Sequence, residues 1–149
     1  VTIAHSQGAG NNIQNFTINQ YQNGAEVFRI VNTVYFIGTN PAGNPSLYRI
    51  AFGGNAEELV ENVEDMVMRF GIDTNNDFIV DNYVDVAGVA NWRQVLTARI
   101  SLVFRSSNTN VASEDQTSYV VEYAQVNFAA DRRLRQVATA TFGLRNRLP

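Results

Sequence analysis

The chain has 149 residues, 45% of them hydrophobic, and a formal net charge of -3 at pH 7. Its length predicts one domain over residues 1–149, and its apolar content is sufficient for a hydrophobic core. A sequence pI near 5.0 argues against direct binding to nucleic acid. The sequence contains no cysteine, which excludes disulfides, Cys-ligated metals and Cys nucleophiles. It also contains no apolar run near the roughly 18 residues of a membrane span.

The chain begins at Val1, with neither an initiator methionine nor a signal-peptide pattern. We therefore expect a mature fragment, or a truncation from which an N-terminal segment has been removed. The stretch from Gln7 to Gly24 is dominated by Gly, Asn and Gln and predicts loops and edge strands, with a short β-like piece at Ile13–Ile18.

Runs of β-branched and aromatic residues predict the next elements. Val27–Ile37 and Ser46–Phe52 are expected to form a hairpin, because Thr39–Pro45 between them has the composition of a turn. The acidic stretch Ala56–Glu64 predicts a short helical turn. Met66–Ile72 predicts a further strand that leads into an acidic loop.

Val95–Arg105 predicts a long strand with two unlike faces. The alternation gives one face with Thr97, Arg99, Ser101 and Val103, and a second face, expected to be buried, with Leu96, Ala98, Ile100, Leu102 and Phe104. Tyr119–Asn127 and Leu134–Leu144 predict the last two strands.

Together these elements predict an α+β, mainly β fold with an antiparallel sheet and one weak helical turn. One face of such a sheet needs cover, and the chain offers no good amphipathic helix for this purpose. We expect that an N-terminal helix missing from this chain packs on the sheet.

The loop from Asp73 to Asp81 is the one candidate ligand site. Oxygen side chains recur at every second position, and calcium needs roughly six to eight oxygen ligands. The candidate ligands are Asp73, Asn75, Asp77 and Asp81, with the carbonyl of Ile79. Two interpretations stay open: a structural calcium loop, or a polar turn whose side chains cap their own backbone.

Nothing in the sequence indicates catalysis, so we expect neither an enzyme nor a small-molecule substrate. The sole histidine is His5, and no nucleophile motif is present. The carboxylates of the neighbours Glu64 and Asp65 are expected to point apart, unlike a glycosidase pair.

Three aromatic residues fit either a ligand platform or core packing, namely Phe70, Tyr83 and Trp92. Five arginines near the C-terminus fit a solvated strand edge or a partner-facing surface, namely Arg132, Arg133, Arg135, Arg145 and Arg147.

Four segments match one longer pattern in the same order. They are Glu58–Met66 (pattern LVEGVEDM), Val67–Asp77 ((V/Q)xxYGVDTDGDG), Trp92–Leu102 (W(S/N)xVVxVRxSLL) and Asp131–Arg147 (DRRLRxVxxxTxxLRNR). Together they resemble the PilW family of type IV pilus minor pilins. In the loop, Asn75 and Asn76 stand where this family has Asp and Gly, and Phe78 stands where it has a second Gly.

The resemblance implies a type IV pilin-like globular domain. In such proteins a hydrophobic N-terminal helix is cut by prepilin peptidase and N-methylated. It anchors the periplasmic domain in the inner membrane and later packs in the extracellular pilus. The implied partners are other minor pilins, the major pilin and a pilus-tip adhesin, in a tip complex that primes pilus polymerisation for twitching motility, adhesion and DNA uptake. The alternatives are a J-type pseudopilin of type II secretion and a secreted calcium-dependent binding module.

Overall fold

Antiparallel strands form nearly all the regular structure in the described part of the chain. The structure, a computed structural model, describes residues 31–144. In this range the helical elements are two single turns of 3-10 helix, Val86–Gly88 and Trp92–Gln94. The strands are β1 (Thr33–Thr39), β2 (Pro45–Ala51), β3 (Ala56–Glu61), β4 (Val63–Ile72), β5 (Asn82–Val84), β6 (Val95–Arg105), β7 (Ser118–Val121), β8 (Ala124–Asn127) and β9 (Arg135–Gly143). The prediction of a mainly β protein with antiparallel sheets is confirmed.

The described strands form three antiparallel sheets. The first has the strand order β1-β2-β3, the second has the order β5-β4-β6-β9, and the third is the β7–β8 hairpin. This hairpin occupies Tyr119–Asn127, which the sequence predicted as one strand. The chain reverses at Glu122 and Tyr123, whose φ angles are 48° and 66°. Two consecutive positive φ angles are the requirement of a type I′ hairpin turn. The predicted strand pieces before residue 31 lie outside the described residues.

The prediction of a helical turn over Ala56–Glu64 is wrong, because this segment forms β3 and the start of β4. Pairing with β2 sets Val60 opposite Leu47 and Glu57 opposite Arg49. The Nη2 atom of Arg49 lies 2.6 Å from Oε2 of Glu57. Such cross-strand contacts override a weak local helical preference.

Asn62 forms the corner at which the chain leaves the first sheet and enters the second. It separates β3 from β4 and has a φ of 64°, a backbone conformation that Asn tolerates better than most residues. Its carbonyl accepts a hydrogen bond from the amide of Arg105 (3.0 Å), and its Nδ2 donates to Oγ of Ser107 (3.0 Å). These bonds fix the corner against the end of β6.

The prediction of which face of β6 is buried is wrong for most of the strand. Ser101 and Val103, on the face predicted to be polar, are completely buried. The β7–β8 hairpin lies on this face, where Val121 and Val126 form a buried cluster with Val103. Of the face expected to be buried, only Leu96 is fully enclosed, and Ala98, Ile100, Leu102 and Phe104 are half-buried. Alternation predicts which side chains share a face, but it does not say which face a distant hairpin will cover.

Arg135, at the start of β9, is buried with an exposed fraction of 2%. Its Nε donates to Oε2 of Glu64 on β4 (2.7 Å), and its Nη1 lies 3.1 Å from Oδ1 of Asp131. Its guanidinium carbon also lies 4.7 Å from the ring centroid of Phe128. Burial lowers the pKa of Arg135, but the hydrogen bonds that it donates to Glu64 and Asp131 outweigh this and raise it, so the group stays charged.

The inward position of Arg135 corrects the expectation of a solvated or partner-facing arginine cluster. Arg133 is also mostly enclosed, and its Nε lies 3.1 Å from Oδ2 of Asp131. Burial raises the pKa of Asp131, but the Arg133 amide and the Arg135 guanidinium more than compensate, so its pKa lies below the ordinary value. Arg145 and Arg147 lie outside the described residues.

We predict that Arg135→Met lowers the free energy of unfolding by about 3 kcal/mol, because Asp131 and Glu64 lose a buried partner while Arg105 stays near Glu64. Urea unfolding of the chain measures this. The matched control is Arg49→Met, which breaks an ion pair whose side chains are 40% and 59% exposed and is expected to have a much smaller effect. Equal effects of the two substitutions would contradict a central role for Arg135.

Candidate functional site

The predicted ligand residues lie in the loop that joins β4 to β5. Asp73, directly after β4, is buried with an exposed fraction of 3%. Its amide donates to the carbonyl of Gln94 (2.8 Å), and the amide of Asp81 donates to the carbonyl of Ile72 (2.9 Å). The loop is therefore held at both ends by backbone hydrogen bonds.

The carboxylate of Asp73 accepts hydrogen bonds from the backbone of its own loop. Its Oδ1 accepts from the amides of Asn76 (2.6 Å) and Asp77 (3.3 Å), and its Oδ2 accepts from the amide of Phe78 (2.9 Å). In the same loop, Oδ1 of Asp77 accepts from the amide of Ile79 (2.8 Å). Such bonds satisfy the backbone donors of a tight turn.

Asn75 and Asp81 have different hydrogen-bond partners within the loop. The Nδ2 of Asn75 donates to Oδ2 of Asp77 (3.1 Å), so Asp73, Asn75 and Asp77 are neighbours. The carboxylate of Asp81 instead accepts from the backbone and the hydroxyl of Thr74. The Thr74 hydroxyl, and then its amide, hold the pKa of Asp81 below its ordinary value. Ile79 is 65% exposed.

The carboxylates of the loop accept hydrogen bonds from N–H and O–H donors, and they do not converge on one point. Residues 31–144 contain no group of three or more His, Cys, Asp or Glu side chains that could hold a metal ion. A cation would have to compete with the hydrogen bonds to Asp73 and Asp81. Calcium binding by Asp73, Asn75, Asp77, Ile79 and Asp81 therefore stays a prediction.

The three candidate aromatic residues do not form one platform. Phe70 and Trp92 pack edge to face with ring centroids 5.0 Å apart. Tyr83 instead lies under Arg99, whose guanidinium carbon is 3.6 Å from the ring centroid. Arg99 is also paired with Glu122 at 3.3 Å. The Tyr83 ring thus supports a charged cluster, while Phe70 and Trp92 pack with each other.

A feature larger than the loop is an apolar groove of about 800 Å³, which lies on the face of the second sheet that the β7–β8 hairpin leaves uncovered. Its floor is formed by β4, β6 and β9, and the first sheet contributes one wall. The residues that line it include Met66, Met68, Ile100, Leu102, Ala138, Ala140 and Phe142 from the floor, and Val34, Tyr35 and Leu47 from the wall. Several of these remain substantially exposed, among them Tyr35 at 49% and Phe142 at 53%.

Residues 34–146 match the model of a protein family described as PilW, type IV pilus-assembly protein W. The chain belongs to the PilW family. The matched range contains the loop, the groove and β9, and it confirms the resemblance inferred from the sequence. No curated protein and no solved structure matches the chain.

Membership of the PilW family assigns the chain to type IV pilus assembly and associates it with the cell envelope. The family is described as taking part in pilus assembly, which is a structural role. Within residues 31–144 there is no helix with the length and apolar character needed to cross a membrane.

The groove was only partly predictable. Period-two spacing places Met66 and Met68 on one face, and the sequence analysis placed Ile100 and Leu102 on one face. The sequence predicted that one face of the sheet lacks cover within this chain, but it did not indicate that this face would be the open one, or that Tyr35 would stand beside it. Those features depend on how the first sheet lies next to the second, for which the sequence carries no local signal.

The PilW pattern has glycines at the positions of Asn76 and Phe78, and the structure gives both residues positive φ angles, 63° and 64°. Glycine adopts this conformation without steric cost, and Asn tolerates it, whereas Phe does not. Phe78 is also 54% exposed, so its side chain gains little from burial. Phe78 is therefore a strained position in this loop.

We predict that Phe78→Gly raises the free energy of unfolding by about 1 kcal/mol, because it removes the left-handed strain and gives up little buried surface. Thermal and urea unfolding measure the change. Asn76→Gly is the matched control and is expected to gain less, since Asn already tolerates this backbone conformation. A destabilised Phe78→Gly variant would contradict the backbone argument.

The calcium prediction has a direct test in the melting temperature of the chain. Binding predicts a higher melting temperature in calcium than in EGTA, equivalent to about 2.7 kcal/mol at a hundredfold excess over Kd. Asp77→Asn keeps an oxygen for the Ile79 amide but removes a ligand charge. We expect this variant to lose the calcium effect and to melt like the wild type in EGTA. Equal wild-type melting in both buffers would remove the calcium hypothesis.

Proposed function

We propose that this chain is the globular domain of a minor pilin that joins other minor pilins in a tip or priming complex and thereby initiates type IV pilus assembly. Family membership supports the assignment to the pilus. The open apolar groove on the second sheet carries the finer proposal. A sheet face of this kind is unfavourable in water and needs an apolar partner.

The occupant of the groove that fits this role is a hydrophobic N-terminal helix, which would make the domain pilin-like. The floor spans β4, β6 and β9, and strands lie about 4.8 Å apart, so its width is roughly 10 Å. A helix with side chains is about 10–12 Å across. On the floor, Met66 and Met68 are unbranched, flexible apolar groups that can adapt to a packed helix, and Ile100 and Leu102 add branched apolar surface.

The same helix accounts for the proposed location and partners. Before assembly it anchors the domain on the periplasmic side of the inner membrane, and in the pilus it packs among the helices of other minor pilins and the major pilin. The domain then contacts a tip adhesin, and the pilus serves twitching motility, adhesion and DNA uptake. We propose that residues 1–149 act as one domain in this assembly.

A J-type pseudopilin of type II secretion has the same architecture and is the alternative within this class. The identity of the assembled partner separates the two: co-purification with secretion pseudopilins, and not with pilus proteins, would favour the alternative. The calcium-dependent binding module depends on the loop, so equal melting in calcium and in EGTA would remove it, whereas calcium-dependent ligand binding by the isolated domain, with no pilin partner, would favour it.

We predict that Met68→Glu in the full-length protein strongly reduces surface pili, because a charge on the groove floor prevents an apolar helix from packing there. The side chain is 39% exposed in the domain, so we expect the domain itself to lose about 1 kcal/mol or less. Sheared surface pili and co-purified minor pilins are the measurements.

Val120→Glu is the matched control for Met68→Glu. It places the same charge on β7, at a site that is 74% exposed and does not line the groove. We expect normal piliation in this variant. Normal piliation by Met68→Glu in a folded, expressed protein would contradict the role of the groove.

A further inference from the structure

The outer edge of β9 is a long and open strand edge. Among the described residues β9 pairs only with β6, and eight of its nine residues are exposed. An edge strand presents unpaired N–H and C=O groups to which another extended chain can add. Whether β9 can accept such a chain depends on which of its backbone groups point outward.

The hydrogen bonds at both ends of β9 show which of its backbone groups point outward. The amide of Leu144 donates to the carbonyl of Leu96 (2.8 Å), and the amide of Ser106 donates to the carbonyl of Leu134 (2.8 Å). The register between them is regular, from Thr97 opposite Gly143 to Arg105 opposite Arg135. In an antiparallel ladder the bonded residues alternate. The even-numbered residues of β9 therefore face β6, and the odd-numbered ones, Val137, Thr139, Thr141 and Gly143, direct their N–H and C=O groups outward.

This edge lacks the usual protection against strand addition. From Gln136 to Leu144 the sequence has no charged residue and no proline, and the pairing with β6 shows no bulge. By contrast, β3 carries three glutamates and β5 has only three residues. β1 is also uncharged, but it is shorter and is weakened by Gly38.

The charges beside the edge favour one kind of occupant. Arg132, just before β9, is exposed, and its guanidinium binds only the carbonyls of Ala112 and Ser113 among the described contacts. The sequence continues after β9 with Arg145 and Arg147. Antiparallel pairing of two copies through β9 would bring basic ends together, which is unfavourable. An added strand with acidic ends has the complementary charge.

We propose that the outer edge of β9 accepts an extended segment of a partner protein, a segment that is uncharged over about seven residues and carries carboxylates at its ends. This rests on the proposed function and deepens it, because it supplies a second contact besides the groove. The added strand pairs with the outward groups of Val137, Thr139 and Thr141, and its acidic ends complement the charge of Arg132 and of the arginines that follow β9 in the sequence.

The test uses a synthetic peptide of alternating valine and threonine with two glutamates at each end, added to the chain and followed by amide hydrogen exchange. We expect new protection at the amides of Val137, Thr139 and Thr141, and no change at Gln136, Ala138 and Ala140, which already bond to β6. A peptide with lysines at its ends is expected to protect these amides less, and the difference is expected to shrink at high salt.

Val137→Pro removes one outward N–H without removing a bond to β6, and Val137→Ala is the control that keeps this N–H. We expect about tenfold weaker peptide binding for the proline variant than for the alanine variant. If the proline variant does not fold, the exchange pattern of the wild type remains the test. No protection of the odd-numbered amides, or protection that occurs without peptide through self-association, overturns the proposal.

The failure of this proposal can be told apart from failure of the proposed function. If full-length Val137→Pro assembles pili and binds minor pilins like Val137→Ala, strand addition is wrong and the pilus role stands. If the wild-type protein binds no minor pilin at all, the proposed function is wrong, whatever the peptide does at β9.

Discussion

The buried guanidinium of Arg135 is the constraint on which the rest of the structure depends. A buried cation is costly unless charged partners and hydrogen bonds satisfy it, and here Glu64 and Asp131 do so. Because these partners lie on β4 and on the segment before β9, β9 cannot shift by one residue without leaving charges unpaired. That fixed register places Thr139 beside Ser101 and turns Ala140 toward the groove.

The two faces of the second sheet therefore differ, because one is covered and the other stays accessible. The face under the β7–β8 hairpin contains the closed cluster around Val103 and supplies much of the apolar burial that stabilises the domain. The opposite face keeps Met68 and Phe142 accessible. A protein that works by joining an assembly has to combine these properties, since surface kept for a partner cannot also stabilise the free domain.

Sequence patterns predicted the features that depend on local order and failed where distant segments decide. The strand at β6 and the gathering of Asp73 and Asp77 in one loop follow from alternation. The β3 strand follows from pairing with β2, and the burial of Arg135 follows from Glu64, which lies 71 residues away. The backbone path of the loop includes a positive φ at Phe78, which no propensity for Phe predicts.

The sheet order β5-β4-β6-β9 also sets the order in which the domain can be completed. As the chain emerges from its N-terminal end, β1, β2 and β3 close through short turns. β4 must wait for β6, and the link from Glu64 to Arg135 must wait for nearly the whole chain. Closure over such separations is slow. During that interval the part of β4 that carries Met66 and Met68 lacks β6 beside it, so the newly made chain passes through a state that needs protection from aggregation before it can enter an assembly.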